Sequence, residues 1–245
     1  MNVVIFADGD VGEKIVSYLI SNYIDDLIMV ITASENNISV LAKENEIETH
    51  VFYKEDKNFY ERLPCDIDLG ILAWWPHIIT KKLIKSAKQG FINTHPSYLP
   101  FNRGKNYNFW ALVEQVPFGV SIHFVDLSID SGAILLQKKI PYDWTDNGES
   151  LYKKASSSMV DLFQLAYIKL KSGHTACKPQ DISMGSFHQS SELEQASQIN
   201  LEKQYRARDL LNLLRARTFS GHPSCWFVDD GSKYEVTIKI KKVAK

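Results

Sequence analysis

Apolar residues along the first half of this chain switch repeatedly between contiguous runs and a spacing of three to four. Asn2 to Phe6 is a short β-branched run that ends in the turn-prone Ala7-Asp8-Gly9-Asp10, and Val11 to Asn22 follows with apolar positions at helical spacing. The pattern continues with Asp26 to Thr32 as a second apolar run, Ser39 to Glu46 as a helix and Glu48 to Phe52 as a third strand. Asn58 to Leu63 reads as a short helix, Ile67 to Ala73 as a fourth strand, and Thr80 to Gln89 as a helix ending at Gly90. Strands alternating with helices at this pace predict an α/β fold, a parallel sheet with helices on both faces.

After the strand Phe91-Ile92-Asn93 the character changes. Asn93 to Lys105 is rich in Pro, Gly, Asn and Ser, Tyr107 to Glu114 is aromatic and helical, and Val120 to Val125 alternates as a strand. The loop Asp126 to Gly132 feeds another strand, Ala133 to Ile140, and Glu149 to Ser172 is a long helix with one apolar face. Beyond it Gly173 to Ser197 is polar and irregular, Asn200 to Arg217 is a charged helix, and Cys225 to Val228 with Tyr234 to Val243 predicts a hairpin around Asp229-Asp230-Gly231-Ser232. These boundaries give a main domain over 1–175, a linker over 176–199 and a C-terminal helix and hairpin over 200–245.

Composition narrows the function classes. Lys and Arg total 28 against 29 Asp and Glu in 245 residues, so no net positive field attracts nucleic acid or an anionic membrane. No run of about 18 apolar residues occurs, and MNVVIFADGDVG has no basic leader before its apolar stretch, so neither a membrane span nor a signal peptide is expected. The cytoplasm is the expected compartment. Three widely spaced cysteines, Cys65, Cys177 and Cys225, argue against a disulfide framework or a zinc site and are expected to be reduced packing residues; no metal is expected.

Gly9 and Gly12 after the first strand invite a dinucleotide-binding reading, but no third glycine stands in register and Asp8 and Asp10 would repel phosphate. A plain strand-to-helix turn is favoured. The chemistry concentrates later, in FINTHPSYLPFNRG, where Asn93 and His95 lie two apart at a strand end and therefore point to the same side. An amide donor can steady an oxyanion, and an imidazole of ordinary pKa about 6.5 can take a proton from an attacking nucleophile. The loop DLSIDSG supplies Asp130, which could orient the ring. Spacing alone leaves the blander roles open: a loop histidine, a turn aspartate, and an asparagine cap.

The motifs Asn93-x-His95-Pro96-Ser97-x-Leu99-Pro100, Arg103-Gly104, Gly119-Val120-Ser121-x-His123 and Asp130-x-Gly132, in this order and at this spacing, resemble the folate-dependent formyltransferase family. The resemblance covers about the first 165 residues. It implies a Rossmann-like formyltransferase domain, here with a small C-terminal helix and β-hairpin subdomain, and it carries Asn93, His95 and Asp130 over as catalytic residues. It also implies 10-formyltetrahydrofolate as co-substrate, lying along Ala73-Trp74-Trp75-Pro76-His77 and Asp126 to Asp130. Trp74, Trp75, His77, Asp126 and Ile129 are the expected contacts, with core packing open for either tryptophan.

Within the family, the short near-neutral tail is unlike the long basic one of methionyl-tRNA formyltransferases, and the Arg-Gly is absent from glycinamide ribonucleotide formyltransferases. SYLPFNRGKNYNFW with LLRARTFSGHPSCWF looks like the enzymes that formylate nucleotide-linked dideoxyamino sugars for surface polysaccharides, except that Tyr107 stands where that group more often has Pro. The implied substrate is a dTDP-linked 4-amino-4,6-dideoxyglucose, with its 3-amino isomer as the alternative. Arg103, Lys105, Tyr107, Phe109 and Trp226 are the expected substrate contacts, cations for a diphosphate and aromatic faces for a base and a sugar methyl, with helix packing open for Trp110. The hairpin resembles the element through which such enzymes dimerise, so a homodimer is expected. Formyltetrahydrofolate hydrolases share the same three residues but usually carry an extra N-terminal domain, which is not expected here. A non-catalytic nucleotide-sugar binder is disfavoured by the complete set.

Overall fold

The first apolar run is β1 (Val3–Ala7), buried at all five residues, as a strand must be when helices cover both faces of its sheet. The structure, a computed structural model, describes residues 1–56, 58–173 and 176–243. His174 and Thr175, at the junction of the expected main domain and linker, and Ala244 and Lys245, at the end of the expected tail, lie outside the described residues. Next come α1 (Gly9–Tyr23), β2 (Leu27–Thr32), α2 (Asn37–Glu44), β3 (Glu48–Val51), β4 (Leu69–Ala73), α3 (Lys81–Ile84) and β5 (Phe91–His95). α1 buries Val11, Ile15, Val16 and Leu19 along one stripe. α2 starts at a reciprocal cap between Asn36 and Ser39.

Then follow β6 (Arg103–Gly104), α4 (Tyr107–Glu114), β7 (Gly119–Phe124), β8 (Ile134–Lys139) and α5 (Gly148–Lys171). The last elements are β9 (Phe187–His188), α6 (Glu192–Ala196), α7 (Ala207–Ala216), β10 (Cys225–Asp229) and β11 (Ser232–Val236). One seven-stranded sheet has the order β3-β2-β1-β4-β5-β7-β8. The pairs from β3 through β5 are parallel, and β7 runs antiparallel to β5. The strand order reverses between β1 and β4, which gives the doubly wound arrangement whose carboxyl strand ends form a ligand-binding crevice.

Contacts divide the chain into two units. The first comprises Met1–His95, Ser121–Gln137 and Ser156–Gln180. Its core gathers Phe6, Phe59, Trp75 and Phe91 with Met29, Ile31 and Leu72. The second comprises Pro96–Val120, Lys138–Ala155 and Asp181–Lys245. In it β6 pairs with β9, and α4 lies beside them: Trp110 stacks on His188 at 3.7 Å, while Glu114 Oε1 holds His188 Nε2 at 2.7 Å.

Several elements differ from the sequence expectation. The helix expected over Thr80 to Gln89 shrinks to α3, because the N–H groups of Lys88 and Gln89 donate to the carbonyls of Ile67 and Asp68 and draw the chain alongside the entry to β4. The stretch 176–199 carries β9 and α6. The helix expected from Asn200 starts only at Ala207, since Asn200 forms a turn in which its Oδ1 accepts from Glu202 N. The hairpin turns through Asp230 and Gly231, both at positive φ, as a two-residue connection of this hand requires, but its second strand ends at Val236 rather than Val243. Cys225 is buried, and burial pushes its thiol up to about 12; Cys65 and Cys177 are exposed, contrary to the expectation that all three pack.

Candidate active site

Asn93 and His95 lie on one face of β5, and the antiparallel neighbour β7 places His123 opposite Asn93 and Ser121 opposite His95. Facing residues of an antiparallel pair share a face, so the register brings two histidines, an asparagine and a serine to one side of the sheet. His95 is 4% exposed and His123 2%. The loop after β7 returns Asp130 over this face. Its Oδ2 is 3.4 Å from His95 Nδ1, and its Oδ1 accepts from Asn93 Nδ2 at 3.2 Å. The three residues singled out by sequence therefore meet within hydrogen-bonding or ion-pairing distance, all in the first unit.

His123 was not among the expected site residues. Its Nδ1 lies 2.8 Å from the Phe124 carbonyl, which can only accept, so that nitrogen carries a proton. In the neutral ring Nε2 is then an acceptor for Asn93 Nδ2 at 3.3 Å, and Asp130 Oδ1 lies 3.5 Å from the same Nε2. The two N–H bonds of Asn93 thus point at Asp130 and His123, which fixes the amide's plane and orientation. The sequence signal for His123 was present in the alternation of Ser121 and His123 with Val120 and Ile122, but it depends on pairing with β5, which spacing does not reveal.

Asp130 sits at φ +51, in left-handed backbone that Asp adopts at modest cost. Gly132, two residues on, has no room for a side chain: a Cβ there would stand 1.8 Å from the Phe124 carbonyl oxygen. Ser121, fully buried, accepts from Gln137 Nε2 at 2.9 Å through its hydroxyl. At the neighbouring strand end Trp74 also has positive φ, +56, and its N–H donates to Thr94 Oγ1, whose own proton goes to the Leu72 carbonyl. The Thr94 hydroxyl thereby takes the place of the next ladder bond as β4 and β5 part.

The residues expected to contact a folate lie in this unit but differ in accessibility. Trp74 is half-buried, while His77, Asp126 and Ile129 are exposed. Trp75 is 9% exposed and packed edge-on against Phe6 and Phe52, so its ring serves the core. The expected substrate contacts all fall in the second unit. Lys105 is exposed, and Arg103 and Tyr107 are half-buried. Phe109, at 2% exposure, packs against Trp110 and offers no face to a ligand in this conformation. Trp226 carries the Lys233 ammonium over its ring at 4.3 Å. Among the described residues no group of three or more His, Cys, Asp or Glu is arranged to hold a metal ion, and no helix is long and apolar enough to cross a membrane.

Comparison with known proteins adds an independent line. Residues 1–165 match the family model described as formyl transferase, and residues 192–242 match the N-formyltransferase dimerization C-terminal domain. The chain is similar to the GDP-perosamine N-formyltransferase of Brucella melitensis, 33% identical over 123 residues, which is 50% of this chain and 45% of that protein. It is similar also to the dTDP-4-amino-4,6-dideoxyglucose formyltransferase of Mycobacterium tuberculosis, 27% identical over 152 residues, 61% of this chain and 64% of that one. The chain thus spans about half the length of the first of these relatives and under two thirds of the second. In fold it is similar to a 4-N formyltransferase of Francisella tularensis, with a TM-score of 0.81 at 24% identity over 99% of this chain and 98% of that one.

Proposed function

This chain belongs to the formyl transferase family, and from that premise we propose that it transfers a formyl group from 10-formyltetrahydrofolate to the C4 amine of dTDP-4-amino-4,6-dideoxyglucose, for surface polysaccharide. The observation that carries the reading is the convergence of Asn93, His95 and Asp130 on one face of β5, within the region matched by the family model.

The sugar amine must lose a proton as it attacks. With Nδ1 of His95 turned to the Asp130 carboxylate, the neutral ring keeps its proton there and presents Nε2 as the base. The carboxylate then stabilises the imidazolium that forms. Asn93 turns one N–H from His123 or Asp130 to the formyl oxygen as negative charge gathers on it, an interaction worth about 3 kcal/mol in comparable oxyanion sites. The donor supplies the one-carbon unit, and as its formyl carbon–nitrogen bond breaks the His95 imidazolium returns its proton to the departing nitrogen, releasing tetrahydrofolate. Its pterin is assigned to half-buried Trp74 and to exposed His77, Asp126 and Ile129.

In the second unit, Arg103 and Lys105 are the cations assigned to the diphosphate. Arg103 Nε is buried with no hydrogen-bond partner among the described residues, so it has a donor to give. Tyr107 and Trp226 are assigned to the base and the sugar's methyl group, whose burial is worth about 1 kcal/mol. The near-zero net charge weighs against a tRNA acceptor. The names of the mycobacterial and Brucella relatives favour a nucleotide-linked amino sugar, and the family match over residues 192–242 favours a homodimer.

The test is a turnover screen of nucleotide-linked amino sugars with 10-formyltetrahydrofolate, following tetrahydrofolate release. Release that requires the amino sugar, with kcat/KM highest for the dTDP-linked 4-amino compound, is expected. Preference for the 3-amino isomer overturns the position, release without any amine indicates a hydrolase, and no release rejects the transferase reading.

A further inference from the structure

Asp130 is the one member of the cluster that does not stand on a strand. Its left-handed backbone persists only if the surroundings hold it, and the bonds within its own loop are short-range, such as Ser131 Oγ to the Ser128 carbonyl at 3.0 Å. A long-range restraint on its backbone comes from Gln180, fifty residues away. Gln180 Nε2 donates to the Asp130 carbonyl at 3.0 Å and to the Gly132 carbonyl at 2.6 Å, closing a clamp on both sides of Ser131.

The backbone explains how Gln180 arrives there. Lys178 and Ile134 form an antiparallel bridge, each N–H donating to the other's carbonyl at 2.8 Å. Continuing that register by two residues sets Gln180 opposite Gly132, so its side chain need only cross to the neighbouring strand position. The amide's orientation is fixed by chemistry, since a flipped side chain would set its oxygen against two carbonyl oxygens. Among the described residues its Oε1 is buried with no hydrogen-bond partner, a cost retained at a residue whose other end is fully used. Gln180 also lies in the chain between the two family matches, 1–165 and 192–242.

We propose that Gln180 is the positioning residue for the catalytic carboxylate: one nitrogen with two protons bridges the carbonyls flanking Ser131 and holds Asp130 in the conformation that aims it at His95 and Asn93. This rests on the role given to Asp130 in formyl transfer, and it adds a residue that does not touch the reacting groups. Only a side chain that donates twice at that reach can serve. Methionine has the length but donates nothing, whereas lysine donates to both carbonyls.

The experiment pairs kinetics of Gln180→Met and Gln180→Lys with a crystal structure of the Met variant. Since a displacement of about 1 Å can cost about 10²-fold, kcat of Gln180→Met is expected to fall by roughly that factor, with KM for the amino sugar changed less than about threefold. Gln180→Lys is expected within about tenfold of wild type, a rescue that a role in packing alone would not give. In the Met variant's crystal structure Asp130 is expected to leave positive φ and move away from His95. Wild-type kcat in Gln180→Met, or an unmoved Asp130 in its crystal structure, overturns the assignment. If the wild-type protein formylates no amino sugar, the transferase reading fails separately, and the position of Asp130 in the Met variant still decides the role of Gln180.

Discussion

Asp130→Asn is the sharpest perturbation of the cluster because it keeps the side chain's shape while removing its charge and one of its two acceptor oxygens, those facing His95 and Asn93. Asparagine has the same shape and tolerates left-handed backbone at least as well, so the loop at φ +51 should keep its course. What disappears is the attraction between the carboxylate and the imidazolium formed when His95 takes a proton. The two groups are 3.4 Å apart with side chains 12% and 5% exposed, and unit charges at that distance attract by about 5 kcal/mol at an effective dielectric constant of about 20. The remaining amide oxygen can still accept from His95 Nδ1 and retain about 1 kcal/mol of this, leaving a loss of about 4 kcal/mol, or about 10³-fold in kcat. The assay is tetrahydrofolate release at saturating nucleotide-linked amino sugar, with melting temperature measured in parallel. A fall of less than tenfold with an unchanged melting temperature would refute the ion-pair reasoning. His95→Asn should cost a similar factor, and the double variant should be scarcely slower than the worse single one, because the pair acts as one unit.

Two further predictions concern stability and assembly. Burial alone would raise the Asp26 carboxyl, but hydrogen bonds from Lys171, Tyr167 and the Met1 ammonium more than offset it and hold it below the usual range. A depressed folded-state value means the contribution is present above the unfolded carboxyl's pKa of about 3.9 and is lost as pH falls through the lower folded value. Asp26→Asn should therefore cost about 2 kcal/mol at pH 7 and progressively less below about pH 4, measured by urea midpoints; an equal cost at pH 7 and pH 3 would contradict it. Deleting Lys233 to Lys245, which removes nearly all of β11, should convert a dimer to monomers by light scattering if the hairpin makes the two-fold contact, and an unchanged mass rejects that role.

The parts of the fold legible in the sequence are those whose signals are local. The contiguous apolar runs marked β1, β2 and β4 because burial on both faces imposes apolar strands, as in Val3–Ala7. Asn93 and His95 were legible together because strand periodicity is two. What was not legible depends on partners distant in sequence. The backbone of Ile67 and Asp68 shortens the helix after Thr80, the pairing of β5 with β7 recruits His123, and the bridge between Ile134 and Lys178 delivers Gln180 to the Asp130 loop. Phe109 and Trp75 show the converse limit: an aromatic residue beside a motif reads the same whether it faces a ligand or the core, and only burial separates the two.

The register between β5 and β7 divides the cluster into a part that can vary and a part that cannot. Opposite the polar face, Ile92 and Ile122 are fully buried, so sliding β5 by one residue would expel Ile92 from the core and turn Asn93 and His95 away, and sliding β7 would do the same to Ile122 and His123. Insertions and deletions in those strands are thus barred by packing before chemistry is ever consulted. The segment from Asp126 to Ile129 is under no such rule, as its residues are exposed and leave the core untouched. Change that preserves the fold while altering proton handling therefore has one narrow stretch open to it, and the amide donor on β5 stays where it is whatever happens there.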